Sequence, residues 1–306
     1  MNDTTKRQRK GNGKNTGRQA GGRLPVAKTY KIYVGGKFPR TESGRYYPLR
    51  PDGETVIANV CRSSRKDFRE AVVAARGACA GWSGASAYNR GQVLYRIGEM
   101  LEGRREQFVA ELALQGVNRR RAESEVDAAV DRLIHYAGWS DKYQQIFSAV
   151  NPVASSHFNF SALEPTGVVA IIAPEESGLL GLISNVAPAI VGGNTCVVLA
   201  SETRPLTAIS FAEVLHSSDV PGGVVNLLTG FRDELTGQFA SHMDVNAVVF
   251  CEGGDDAAKE IQLAAADNLK RVIDRTDTDW RRPAAQGPYH IRDTQEVKTT
   301  WHPIGG

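Results

Sequence analysis

Apolar and polar positions change rhythm several times along this chain. Residues 30–34 form a short apolar-rich run that ends at Gly35-Gly36, and 46–60 reads as extended segments around the turn Pro51-Asp52-Gly53. Ser63 or Ser64 then opens a helix over about 65–80, with Phe68, Val72, Val73 and Ala75 at helical spacing. Two longer helical patterns follow, over about 88–114 and 122–147. In the first, Val93, Leu94, Ile97, Leu101, Phe108 and Leu112 share one face, although Gly91, Gly98 and Gly103 each weaken a helix interior.

Residues 153–163 switch to the two-residue alternation of a half-buried strand. Strand and helix patterns then alternate: Val168–Ile172, 179–191, Thr195–Leu199, 205–217, 224–228, 233–240, Ala247–Phe250, 255–266 and Arg271–Asp274. Five short apolar strands separated by amphipathic helices predict an α/β fold, a doubly wound parallel sheet covered by helices on both faces. Such sheets bind ligands at the carboxyl ends of their strands, so chemistry belongs in the loops after 172, 199, 228 and 250. Beyond 274 the pattern dissolves into a polar stretch, 275–293, without a period. The chain then alternates again over 294–301, with Val297, Thr299 and Trp301 on one face of a final strand.

Composition narrows the class. The chain has 306 residues, 41% hydrophobic and 23% charged, which suits a globular protein with a real core. Its net charge of +3 hides an asymmetry: residues 1–24 hold seven basic side chains against Asp3, a local +6 that leaves the body at −3. The tail is expected to be a basic disordered arm over 1–29. It lacks the apolar run of a signal peptide or the apolar face of a transit peptide, and nucleic-acid contact through it is a minor possibility. Cys61, Cys79, Cys196 and Cys251 are widely spaced, without ligand spacing, and read as reduced cytoplasmic thiols; no metal is expected. The most apolar stretch, 179–199, is interrupted by Asn185, Pro188, Gly192, Gly193 and Asn194, so it reads as core and not as a membrane span.

Several segments resemble the aldehyde dehydrogenase superfamily: YKIYVGGKF (30–38), EVDAAVDRLIHYAGW (125–139), EPTGVVAIIAP (164–174), VAPAIVGGNT (186–195), PGGVVNLLTGF (221–231), ASHMDVNAVVF (240–250) and NLKRV (268–272). EVKTTWHP (296–303) resembles that family's terminal strand, which pairs with the 153–163 strand in a small oligomerisation arm. The resemblance implies a Rossmann-like cofactor domain over 30–274 with N-terminal helices, including arm strand 153–163, and a terminal arm strand over 294–306. It also implies a catalytic domain between NLKRV and the last strand. Here only 275–293 lies there, a 19-residue linker too short for a domain with its own core. The family's nucleophilic cysteine belongs to that domain and has no counterpart.

The loops depart from the family in the same direction. Pro174-Glu175-Glu176-Ser177-Gly178 puts Glu176 where the family's oxyanion-binding asparagine stands, and a carboxylate there repels developing negative charge. Leu199-Ala200-Ser201-Glu202 lacks the lysine that grips the adenosine ribose but keeps Ser201 and Glu202. Gly230 and Phe231 survive, while Arg232 and Thr236 replace glycines that let a dinucleotide approach. Phe250-Cys251-Glu252-Gly253-Gly254-Asp255-Asp256 puts acids at a helix start, where they repel a pyrophosphate. Arg275-Thr276-Asp277-Thr278 replaces the segment carrying the general base. No catalytic residue is therefore expected. Ser201, Glu202 and Gly230 remain as vestigial cofactor contacts, with no cofactor expected, or NAD(P) if any.

Blander readings stand beside sharper ones. Cys251 ends a strand at the crevice, but its acidic neighbours should raise its pKa and leave it an inert thiol. Glu175 and Glu176 could be an acid/base pair, although capping the helix at 179–191 is the commoner use of such residues. Phe158, Phe160 and Trp301 in a two-stranded arm need another surface to cover them. The expected function is a structural or regulatory subunit that associates, through the 153–163/294–302 arm, with a full-length aldehyde dehydrogenase or with itself. An NAD(P)-dependent aldehyde oxidoreductase and a nucleotide-binding module are the alternatives.

Overall fold

The computed structural model describes residues 26–305, so the basic tail up to Pro25 lies outside the described residues. The chain starts with β1 (Thr29–Tyr30), β2 (Tyr46–Leu49) and β3 (Ala58–Cys61), a small sheet in which β3 lies between the other two. Four helices follow: α1 (Arg65–Ser83), α2 (Ala87–Glu102), α3 (Arg105–Leu114) and α4 (Arg119–Trp139), with a short α5 (Tyr143–Phe147) after them. Ser64, not Ser63, caps α1, its backbone N–H donating to Asp67 Oδ2 at 2.7 Å in a capping box.

The main sheet comprises β6 (Val168–Ile172), β7 (Thr195–Leu199), β8 (Val225–Leu228), β9 (Ala247–Phe250) and β10 (Arg271–Asp274). All pairs are parallel, in the order β10-β9-β6-β7-β8, as the strand–helix alternation predicts. Four helices connect them: α6 (Leu180–Val191), α7 (Leu206–His216), α8 (Arg232–Ser241) and α9 (Asp255–Ala265). One face of the sheet packs against α1, α8 and α9, where Phe68 stacks on Phe239 at 4.2 Å. The other face packs against α6 and α7, which α2, α3 and α4 cover in turn. Every residue of α6 is buried, as expected of a helix that is apolar all round.

Three expectations change. The 88–114 helix breaks at Gly103 and Arg104, and the 122–147 helix ends at Trp139 before α5. Gly91 and Gly98, read as helix-weakening, sit where α2 meets α4; a Cβ on Gly91 would overlap the Ser140 hydroxyl, and one on Gly98 would reach Ile134 Cδ1 at 2.9 Å. The close helix contact needs their missing side chains. The arm has three strands rather than two: β11 (Gln295–Pro303) and β4 (Ala149–Asn151) flank β5 (His157–Pro165), all antiparallel.

The stretch 275–293 is also not without structure. It contains a 3-10 turn, Pro283–Ala285, and the short helix α10 (Tyr289–Arg292), and it buries Trp280, Ala285 and Ile291. Arginines bind it to the domain. Arg132 of α4 donates to the carbonyls of Trp280 (3.0 Å) and Ala285 (2.6 Å), to Gln286 Oε1 (3.0 Å) and to Ser184 Oγ (2.5 Å). Arg275 joins Asn185 Oδ1 at 2.8 Å to Asp293 Oδ2 at 3.0 Å. Arg271 donates to the Gln295 carbonyl at 2.7 Å. Polar side chains thus do the ordering that hydrophobic periodicity could not announce.

Candidate functional site

From β6 the chain winds outward to β7 and β8 on one side, and β9 and β10 continue on the other. The strand order reverses between β6 and β9, which makes the crevice above their carboxyl ends the place where this architecture binds ligands. The loops after β6, β7, β8 and β9 surround it.

Glu175 dominates that crevice. Its Oε2 accepts from the Ser201 hydroxyl at 2.7 Å, the Thr203 hydroxyl at 2.9 Å and the Thr203 N–H at 3.2 Å. Its Oε1 accepts from the Glu202 N–H at 3.0 Å and from Arg232 Nε at 2.5 Å. Arg232 also donates to the carbonyl of Ala173, and its own N–H donates to the Glu202 carboxylate. The Glu252 carboxylate accepts the Glu175 N–H at 3.0 Å. Side chains from all four loops are therefore bonded to one another across the crevice. Burial opposes the Glu175 charge, but Arg232 and the donors from Glu202, Ser201 and Thr203 outweigh it and hold the carboxyl below its usual range. Glu202 shifts upward because burial, with Glu175 nearby, exceeds the benefit of the Arg232 N–H.

The residues named from sequence land as follows. Ser201 and Glu202 come together, bonded to Glu175 and Arg232 respectively. Gly230, at φ +157°, lies against the Ser63 backbone, where a Cβ would stand 3.2 Å from its nitrogen. Glu175 and Glu176 do not form a pair: Glu175 turns into the crevice, while Glu176 is exposed and its carbonyl accepts from Arg204. Neither caps α6. That task falls to Glu125 of α4, whose Oε1 accepts from the Leu179 and Leu180 N–H groups, each at 3.2 Å, and from the Ser177 hydroxyl at 3.3 Å. A cap contributed from 54 positions away leaves no local signal. Cys251 is buried beside Asn185 and the two arginines, and its thiol is pushed up to about 12. Burial is the main cause, with Glu252 only a minor one, so the expected direction holds for a different reason. Of the acids expected at the start of α9, Glu252 points to the β6–α6 loop instead, and Gly254 occupies the capping position.

Beside the crevice, a cavity of about 590 Å³ opens between the start of α4, the β6–α6 loop and residues 278–281. Arg121, Arg204 and Arg281 face Glu125, Glu176 and Asp279 around it.

Comparison with known proteins settles the family. The family model described as "Aldehyde dehydrogenase family" matches residues 39–275. The chain belongs to the aldehyde dehydrogenase family. It is 32% identical over 252 residues to aldehyde dehydrogenase, cytosolic 1 of Elephantulus edwardii, covering 79% of this chain and 49% of that protein. Similarity to aldehyde dehydrogenase 1A1 of Rattus norvegicus is 34% over 249 residues, with the same coverage. Among solved structures, the NAD+ complex of an aldehyde dehydrogenase from Bacillus cereus superposes with a TM-score of 0.76 at 28% identity, over 80% of this chain and 50% of that one. The chain thus spans about half the length of these relatives. Among the described residues, no helix of this family member is long and apolar enough to cross a membrane.

Proposed function

We propose that this chain is a non-catalytic aldehyde dehydrogenase-family protein, a structural or regulatory subunit that associates in the cytoplasm with a full-length aldehyde dehydrogenase or with a second copy. One observation carries the reading: the crevice that this fold offers a dinucleotide is filled by the protein's own Glu175–Arg232 ion pair, at 2.5 Å. Three further carboxylates support it, since Glu176, Glu202 and Glu252 line the same loops and work against an arriving pyrophosphate. The buried, protonated Cys251 thiol is a poor nucleophile. The residues present do not fit NAD(P), and no hydride-transfer step is derived for them.

The arm is the proposed contact surface. Val150, Phe158 and Phe160 fall on one face of the three-stranded sheet and Val297 and Trp301 on the other, and all but Phe160 are largely exposed. Calorimetric titration with NAD and NADP is expected to give no saturable heat, and micromolar binding would overturn the reading. Co-expression with a full-length relative from the same cell, followed by light scattering, should show a mixed or self-assembled particle. A chain that stays strictly monomeric would remove the subunit role. The second reading is an NAD(P)-dependent aldehyde oxidoreductase or nucleotide-binding module, favoured by the retention of Ser201, Glu202 and Gly230 at the crevice turns. Aldehyde-dependent NAD(P)H formation by the purified chain would establish the enzyme.

A further inference from the structure

Five donors converge on the Glu175 carboxylate: the consecutive N–H groups of Glu202 and Thr203, the hydroxyls of Ser201 and Thr203, and Arg232 Nε. Successive backbone N–H groups aimed at one oxyanion form an anion-binding nest. The donors outnumber what a carboxylate can use, because its two oxygens offer about four lone-pair directions. One more remains unused, since Arg232 Nη1 is buried without a hydrogen-bond partner. The site is therefore richer in donors than its occupant is in acceptors.

We infer that the β7–α7 turn and Arg232 form a binding site for a small tetrahedral oxyanion, inorganic phosphate or a phosphate monoester, held shut by Glu175 as a tethered occupant. A phosphate group has the same charge sign, more charge and one more acceptor oxygen than the carboxylate can present, which matches the surplus of donors. The charges around the nest explain why the tether excludes it. Glu202 and Glu252 already stand beside Glu175, against Arg232 and the neighbouring Arg204, so an incoming anion must replace the Glu175 charge and cannot be added to it. This inference rests on the reading that the crevice is self-occupied, and it makes Glu175 the residue responsible.

The test uses the full chain and its Glu175→Ala variant, unfolded by heat in phosphate, acetate or chloride at constant ionic strength. The wild type is expected to unfold alike in all three. The variant should be stabilised by phosphate, its apparent folding constant rising tenfold for each tenfold increase in phosphate once the site is saturated. Adding Arg232→Ala should remove that response, and 31P line broadening should report direct contact in the single variant only. Stabilisation by acetate alone would overturn the tetrahedral class; an equal response in the wild type would overturn the tether. If Glu175→Ala fails to fold in chloride, recovery of folding in phosphate supports the site. A folded Glu175→Gln variant without a phosphate response overturns it. A wild type that binds NAD would instead defeat the non-catalytic reading, so the two failures are distinguishable.

Discussion

Arg132 offers the clearest test of how the protein closes the face that the 275–293 segment covers. Its guanidinium is almost entirely buried, and its four hydrogen-bond partners are two carbonyls, one amide oxygen and one hydroxyl, none of them a carboxylate. Arg132→Met keeps the stem and removes the donors. The Trp280 and Ala285 carbonyls then lose their bonds to Arg132, at a cost of about 1–3 kcal/mol each while they stay buried. Against this stands relief from burying a charge, which can reach several kcal/mol. That relief is gained whether the segment is docked or open, so it cancels from the local equilibrium. The carbonyls, by contrast, regain water only when 278–292 lifts. Opening should therefore become easier by about 2 kcal/mol, roughly a thirty-fold rise in the open population. Hydrogen exchange read by mass spectrometry should show the change in 278–292 while β6 and β7 keep their protection. Trypsin gives a second readout, because the exposed Arg281–Arg282 bond can be cut and cleavage follows the open population when reclosing is fast. Exchange that rises equally in β6 and in 278–292 would refute the reasoning, as would no change in either.

Three further outcomes follow from the same geometry. Gly91→Ala should destabilise the protein by about 1–3 kcal/mol through overlap with Ser140, whereas Gly77→Ala, with open space around it in α1, should stabilise it by about 0.5–1 kcal/mol; equal effects in denaturant titrations would disprove the helix-crossing argument. Cys251, with its thiol raised to about 12, should resist iodoacetamide at pH 8 in the native chain and react after denaturation; peptide mapping that finds it alkylated in the folded state would count against its burial. Glu175 has a folded pKa below its unfolded value of 4.5, so its stabilisation is fully present above that value and is lost as pH falls through the folded one. Glu202 shifts the opposite way, so the measurement is the stability difference between wild type and Glu175→Gln, which should shrink from pH 6 towards pH 3. A difference that stays constant would mean the charge does not contribute.

The main-sheet strands were legible because each is a short apolar run buried on both faces, and their order followed from the alternation with helices. Family membership was legible for a related reason: packing segments such as those at 164–174 and 221–231 carry long, specific patterns. The site was legible only in part. Ser201, Glu202, Arg232 and Glu252 could be placed at the crevice from their loops, and Arg232 could be expected to fill space. That Glu175 turns into the crevice while Glu176 faces solvent was not readable, since adjacent loop residues have no periodicity to assign their directions.

By itself, then, the sequence determined where strands, helices and loops fall, because burial imposes periods of two and 3.6 residues on the chain. Tertiary structure alone decided which charged groups meet. Glu125 capping α6, Arg132 fastening 280–286 and Arg232 closing on Glu175 join residues 54, 148–154 and 57 positions apart. Hydrogen bonds and ion pairs act over about 3 Å in space without regard to sequence separation. They become visible only once the hydrophobic pattern has folded the chain and brought the loops together.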